Sequence, residues 1–197
     1  MNFKPYPAIR ATAAEILESY HIFSIETGDG EKPAKFALLP TGERANNVFI
    51  IGTLTAVKSD DRFVTGTLFD KTGKIKIRTS AEYQPAAYDQ LSRIAKTLPA
   101  HVAVCGRIAV FEPQEKKENS PDRFVSIQAE GLAMVERSYR DDWDQEVHRE
   151  TIRRYESWNI EHLTDDQKRS IEVYGPGIRE NVMQRVRSAY EQAPMAE

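Results

Sequence analysis

The chain has 197 residues, 40% of them hydrophobic and 29% charged, which suits one ordinary domain with an appendage, or two small domains, and excludes wholesale disorder. Cys105 is the single cysteine, so an intrachain disulfide framework and a cysteine-rich zinc site are excluded, and no apolar run approaches the ~20 residues of a membrane-spanning helix. The formal charge of −3 argues against a histone-like cationic coat, but it is unevenly spread: net −1 over residues 1–42, +2 over 43–137 and −4 over 138–197.

The N-terminal stretch MNFKPYPAIR lacks a hydrophobic signal core, so the expectation is a soluble, reduced, cytoplasmic protein. Residues Arg10–His21 read as a helix through Ile16, Leu17 and Tyr20, and Gly28–Pro33 reads as a loop. From Asn47 the period becomes two. Five strands are expected, at Val48–Val57, Arg62–Phe69, Lys74–Thr79, His101–Phe111 and Phe124–Val135. Short polar turns, Lys58–Asp61 and Asp70–Gly73, join the first three. A helix over Glu82–Lys96, with Ala87, Leu91, Ile94 and Ala95 at helical spacing, separates the third strand from the fourth. Gly52 and Gly106, inside the long first and fourth strands, are candidate bulge or corner positions.

The order β-β-β-α-β-β is that of an OB-fold, a five-stranded Greek-key barrel. The expected fold class is therefore mainly β, a five-stranded barrel followed by a C-terminal helical region; a split β-α-β sheet would give a similar string. The domain plan is an N-terminal extension with a short helix over 1–46, the barrel over 47–137 and helices over 138–197. In that last region Tyr139, Trp143, Val147, Ile152, Tyr155 and Trp158 form an apolar stripe. A second helix starts at Thr164, where Thr164–Gln167 has the form of a capping box, and stops near Gly175–Gly177. A third spans about Ile178–Tyr190.

Chemistry-bearing motifs are scarce. The four histidines are scattered, and none forms HExxH. Cys105 falls mid-strand with no activating base beside it in the sequence. Lys71–Lys74 superficially suggests a phosphate loop, but the upstream glycine is misplaced and Ile75 stands where Ser or Thr is required. Asp60-Asp61 and Asp141-Asp142 read as solvated charges. The reading is non-enzymatic, with no catalytic residue, metal or cofactor.

One barrel face does carry a pattern. With Val64, Gly66 and Leu68 inward, Phe63, Thr65, Thr67 and Phe69 turn outward; with Ile75 and Ile77 inward, Lys74, Lys76 and Arg78 turn outward on the adjacent strand. Arg107 and Phe111 are expected outside on the fourth strand, and Phe124 on the fifth. The loop before the fifth strand adds Lys116, Lys117 and Arg123, though Glu112, Glu115, Glu118 and Asp122 dilute them. Aromatic faces that accept unstacked bases, interleaved with cations that follow phosphates, are what single-stranded nucleic acid requires. The candidate nucleic-acid-binding set is Phe63, Phe69, Lys74, Lys76, Arg78, Arg107, Phe111, Lys116, Lys117 and Arg123. The candidate partner-interface set is Tyr139, Trp143, Val147, Tyr155 and Trp158; the same stripe could equally pack on its own barrel.

The segment Phe36–Leu54, in which Leu38-Leu39-Pro40-Thr41-Gly42-Glu43-Arg44-Ala45-Asn46 precedes an apolar strand, resembles the archaeal replication protein A-associated proteins. Asp70–Gly73, Tyr83–Ala87 and Val102–Arg107 extend that resemblance, which covers about residues 10–158. More distantly the chain is similar to the middle subunit of eukaryotic replication protein A, a barrel whose trailing helix assembles a trimer. The resemblance implies single-stranded DNA binding, or an accessory role to a larger DNA-binding subunit in replication, repair or recombination. It also implies the partners: single-stranded DNA, directly or through a complex, and a replication protein A-like large subunit in a hetero-oligomer. The sequence departs from the eukaryotic subunit at one point. That subunit stacks a tryptophan on its third strand, where Lys74–Thr79 has no aromatic; Phe111 is the candidate for its second aromatic. A protein-interaction scaffold without DNA binding and an RNA-binding barrel remain alternatives.

Overall fold

The computed structural model describes residues 6–26, 32–115 and 121–192. Five strands form the barrel: β5 (Val48–Ser59), β6 (Phe63–Asp70), β7 (Gly73–Ser80), β8 (Ala100–Phe111) and β9 (Phe124–Met134). They run in the order β5-β6-β7-β9-β8, and β8 pairs back onto β5 to close the cylinder. The β7–β9 pair is parallel, and the other barrel pairs are antiparallel. Helix α2 (Pro85–Ile94) connects β7 to β8 and inserts Ala87, Leu91 and Ile94 into the core. This is an OB-fold.

Closure depends on β5 serving two neighbours. Its first half, Val48–Leu54, pairs with β8, and its second half, Thr53–Ser59, pairs with β6. At Gly52 a β-carbon would lie 2.7 Å from the Phe69 carbonyl oxygen, so glycine permits the coiling there. The bulges themselves fall nearby: Thr55 is the extra residue on β5, and Glu130 is the extra residue on β9, opposite Cys105 and Gly106. Outward parity along β8 is therefore undisturbed.

The two expected turns form by side-chain capping. Asp60 Oδ1 accepts from the Arg62 and Phe63 amides at 2.9 and 2.7 Å, which holds its carboxyl below the usual range. Asp70 Oδ1 accepts from the Thr72 and Gly73 amides at 2.8 and 2.9 Å. Its Oδ2 accepts from the Ala13 amide at 2.7 Å, tying the barrel to the N-terminal segment.

That segment differs from expectation. Only Ala13–Leu17 is helical (α1), started by Thr12, whose hydroxyl accepts from the Glu15 amide. Ile9–Arg10 (β1) instead pairs in parallel with β5. His21 opens a strand, β2 (His21–Ile25), which joins β3 (Ala34–Leu38) and β4 (Arg44–Ala45) in a separate three-stranded antiparallel sheet.

The C-terminal region follows its sequence pattern more closely. Helix α3 (Arg137–Glu156) lays Trp143 and Val147 on Phe49, Ile51 and Ala103, the outer side of β5 and β8. Helix α4 (Asp165–Glu191) begins with the expected reciprocal box between Thr164 and Gln167 and breaks at Gly175, where φ is 64°. After the break Val182 and Val186 pack on Ala14 of α1, and Arg185 donates to the Thr72 carbonyl at 2.7 Å.

A buried ionic cluster sits between α3 and the β6–β7 turn. Asp144, 1% exposed, has Lys71 at 3.5 Å and Arg140 at 3.3 Å. His148, one turn along, is fully buried. Burial first, then Lys71 and Arg140, hold its imidazole down at about 4. The unfolded chain therefore binds the extra proton between pH 6.5 and 4. Stability contributed by neutral His148 is complete above pH 6.5 and is lost as the pH falls, by about 3 kcal/mol at the bottom of that window. Asp70 and Asp144, both raised by burial, oppose this by taking up protons in the folded state. Urea titrations across pH 4–7 should show a steeper acid loss for the native chain than for His148→Leu. Parallel acid limbs would refute the assignment.

Candidate nucleic-acid interface

Alternation on β6 buries Val64, Gly66 and Leu68 and leaves Phe63, Thr65, Thr67 and Phe69 half-exposed on the outside. On β7 it buries Ile75 and Ile77 and exposes Lys74, Lys76 and Arg78. Antiparallel register sets Phe69 opposite Lys74, Thr67 opposite Lys76 and Thr65 opposite Arg78. Two contacts fix Lys76 and Arg78 in place. Lys76 Nζ donates to Thr67 Oγ1 at 2.6 Å, and the Arg78 guanidinium lies 3.7 Å from the centre of the Phe63 ring.

The other flank of β7 is β9, with Lys76 level with Ser126 and Arg78 level with Gln128. At the far end of β8 and β9, Phe111 pairs with Phe124, their ring centres 6.5 Å apart. Phe111 is 65% exposed and Phe124 45%. A groove of about 230 Å3 lies between Phe63 and Arg78 on one side and Phe111 on the other, with Gln84, Ser126 and Gln128 along it. The cations thus form a row bordered by aromatic rings on both flanks. All three cations of the row remain exposed.

The other described cations of the candidate set lie off β7 but beside this row. Arg107 points outward on the same face, level with Gln128 and, across β9, with Arg78, and is paired with Glu130 at 2.8 Å beside Tyr83 and Pro85. Arg123 stacks 3.8 Å over the Tyr20 ring, near Lys74 and Lys76. Lys116 and Lys117 lie outside the described residues. The partner-interface expectation is corrected for Trp143 and Val147, 5% and 1% exposed, because their own barrel takes them up. Trp158 likewise donates from Nε1 to the Thr41 carbonyl at 3.1 Å and lies under Arg179, which also contacts Tyr155. Tyr139 alone of the five stays well exposed.

Phe124 and Tyr20 were not in the candidate set. Outward parity at the start of the fifth strand was a sequence signal for Phe124; its pairing with Phe111 was not. Nothing in the sequence brings Tyr20 to this face. The Cys105 thiol is pushed up, by burial and then by Glu130, the opposite of what activates a nucleophile. Among the described residues no group of three potential metal ligands converges, and no helix is long and apolar enough to cross a membrane.

No family model matches the sequence, and no curated protein matches it. Solved structures with a similar arrangement include a replication protein A heterotrimer bound to ssDNA, at 13% identity and a TM-score of 0.44, covering 74% of this chain and 98% of that one. The Stn1–Ten1 complex of S. pombe is similar at 15% identity and a TM-score of 0.45, covering 70% and 85%. An OBody bound to hen egg-white lysozyme is similar over 46% of this chain and 94% of its own, at 15% identity and a TM-score of 0.35.

Proposed function

We propose that this chain binds single-stranded DNA on the outer face of β6, β7 and the β8–β9 end. It would act as a non-enzymatic accessory subunit of a replication protein A-like complex in replication, repair or recombination, of the archaeal kind that its Leu38–Asn46 segment resembles. The observation that carries this reading is the exposed row Lys74, Lys76 and Arg78, flanked by Phe63 and Phe69 on one side and by Phe111 and Phe124 on the other. Alternate residues of a strand stand roughly 6.6 Å apart on one face, so the row offers regularly spaced charges to a phosphate backbone. The rings offer π-surfaces to bases, which is sequence-tolerant recognition.

Fluorescence anisotropy with labelled oligo-dT at low salt tests it. Phe111→Ala should weaken binding by about fivefold to a hundredfold, the effect of losing one stacked base at roughly 1–3 kcal/mol. The fold should be unaffected, because the Phe111 side chain is largely in solvent. A native chain with no measurable affinity for oligo-dT would overturn direct binding. The subunit role predicts that a larger protein co-purifies with this chain from its own cells and survives nuclease treatment.

A further inference from the structure

At the Lys74 end of the row the barrel face runs into a second, larger opening. A cleft of about 630 Å3 is bounded by Lys74, Lys76, Arg123 and Phe124 on the barrel side. Its opposite wall comes from outside the barrel, from Leu17 at the end of α1, from Glu18 and Tyr20 just after it, and from Ile178 on α4. Its lining combines the apolar Leu17, Val125 and Ile178 with the cations Lys74, Lys76 and Arg123. Its carboxylate, Glu18, has Arg185 at 4.0 Å, and the Arg123 guanidinium is set against the Tyr20 ring. From Arg78 to Lys74 the strand advances about 13 Å, so the 230 Å3 groove and this cleft mark the two ends of one cation row.

We infer that the cleft is a second subsite for the same strand of DNA, walled by the N-terminal segment and α4, so that the binding path extends beyond the barrel. The inference rests on the single-strand reading of the barrel face. Its occupant is a nucleotide of the strand already held by Lys74 and Lys76. The phosphate meets Lys74 and Arg123, and the base lies against Phe124 and the apolar wall. Charge and continuity select this occupant: three cations line the cleft, and the row that leads to it is unbroken.

Affinity measured against oligo-dT of increasing length separates the two subsites. The native chain should show a second rise in affinity once the oligonucleotide outgrows the barrel face. Arg123→Ala should remove about threefold to tenfold of affinity from oligonucleotides beyond that rise and leave shorter ones unchanged. Glu18→Gln, which removes the opposing charge, should strengthen binding only of the longer ones. An affinity that plateaus without a second rise overturns the inference while leaving the barrel site intact. So does a loss in Arg123→Ala that is equal at all lengths. Failure of every length to bind defeats the barrel reading and this one with it.

Discussion

Gly106→Ala should destabilise the barrel by about 3 kcal/mol or more, whereas Gly131→Ala should stay within about 1 kcal/mol of the native chain. A β-carbon on Gly106 would fall 2.2 Å from the Gln128 carbonyl oxygen and 2.8 Å from the Ala129 α-carbon. Both are backbone atoms of the paired strand, so neither can swing aside as a side-chain end would. Relief requires β9 to retreat from β8 at the point where Glu130 already interrupts the register. That retreat would separate core residues Val104 and Ile108 from Ile127 and Ala129. Gly131, just past the bulge on β9, has nothing within 4 Å of its would-be β-carbon, and alanine there restricts only the unfolded chain. Urea midpoints for the two variants provide the comparison. Equal midpoints would mean that the tight approach at Gly106 is not what shapes this strand pair.

The barrel was legible because its core is one-sided. Each strand sets alternate residues against the interior, so β6 and β7 show the period two that the finished cylinder requires. Thr164 and Gln167 were legible for a similar reason, since a capping box is a contact within four residues. The N-terminal sheet was not. In β3, Phe36, Ala37 and Leu38 are all buried, which erases alternation, and β1 and β4 are two residues long. Tertiary pairing makes these strands, not local preference. Gly52 and Gly106 read as bulge or corner positions; Gly52 lies where β5 passes from β8 to β6 and Gly106 faces the register shift, each admits a neighbouring backbone, and the inserted residues are Thr55 and Glu130.

The candidate site divides along the same line. The row Lys74, Lys76 and Arg78 follows from alternation alone. The approach of Phe111 to Phe124 follows from the β8–β9 register, which spans a long charged loop. The stacking of Arg123 on Tyr20 joins residues about a hundred positions apart, and no local pattern encodes it. The helical stripe shows the converse. Its aromatic character was plain, but its destination was fixed only by the outward Phe49 and Ile51 side of β5, which α3 buries.

The second large effect concerns the cations themselves. Lys74, Lys76 and Arg78 are exposed, so replacing all three with alanine removes charge without opening the core. Each phosphate contact to a single strand contributes about 0.7 to the slope of log affinity against log salt, because a condensed counterion is released. Loss of three contacts should therefore flatten that slope by about 2 and weaken low-salt binding by about tenfold to a hundredfold. The retained aromatic contacts and Arg123 should leave a residual affinity with a shallower salt dependence.

The decisive measurement is thus the salt dependence of oligo-dT binding by the Lys74→Ala, Lys76→Ala, Arg78→Ala triple variant beside the native chain. A slope lower by about 2 is the result expected of a DNA path along β7. Superimposable slopes would contradict it, since the phosphates would then be held somewhere other than on this row.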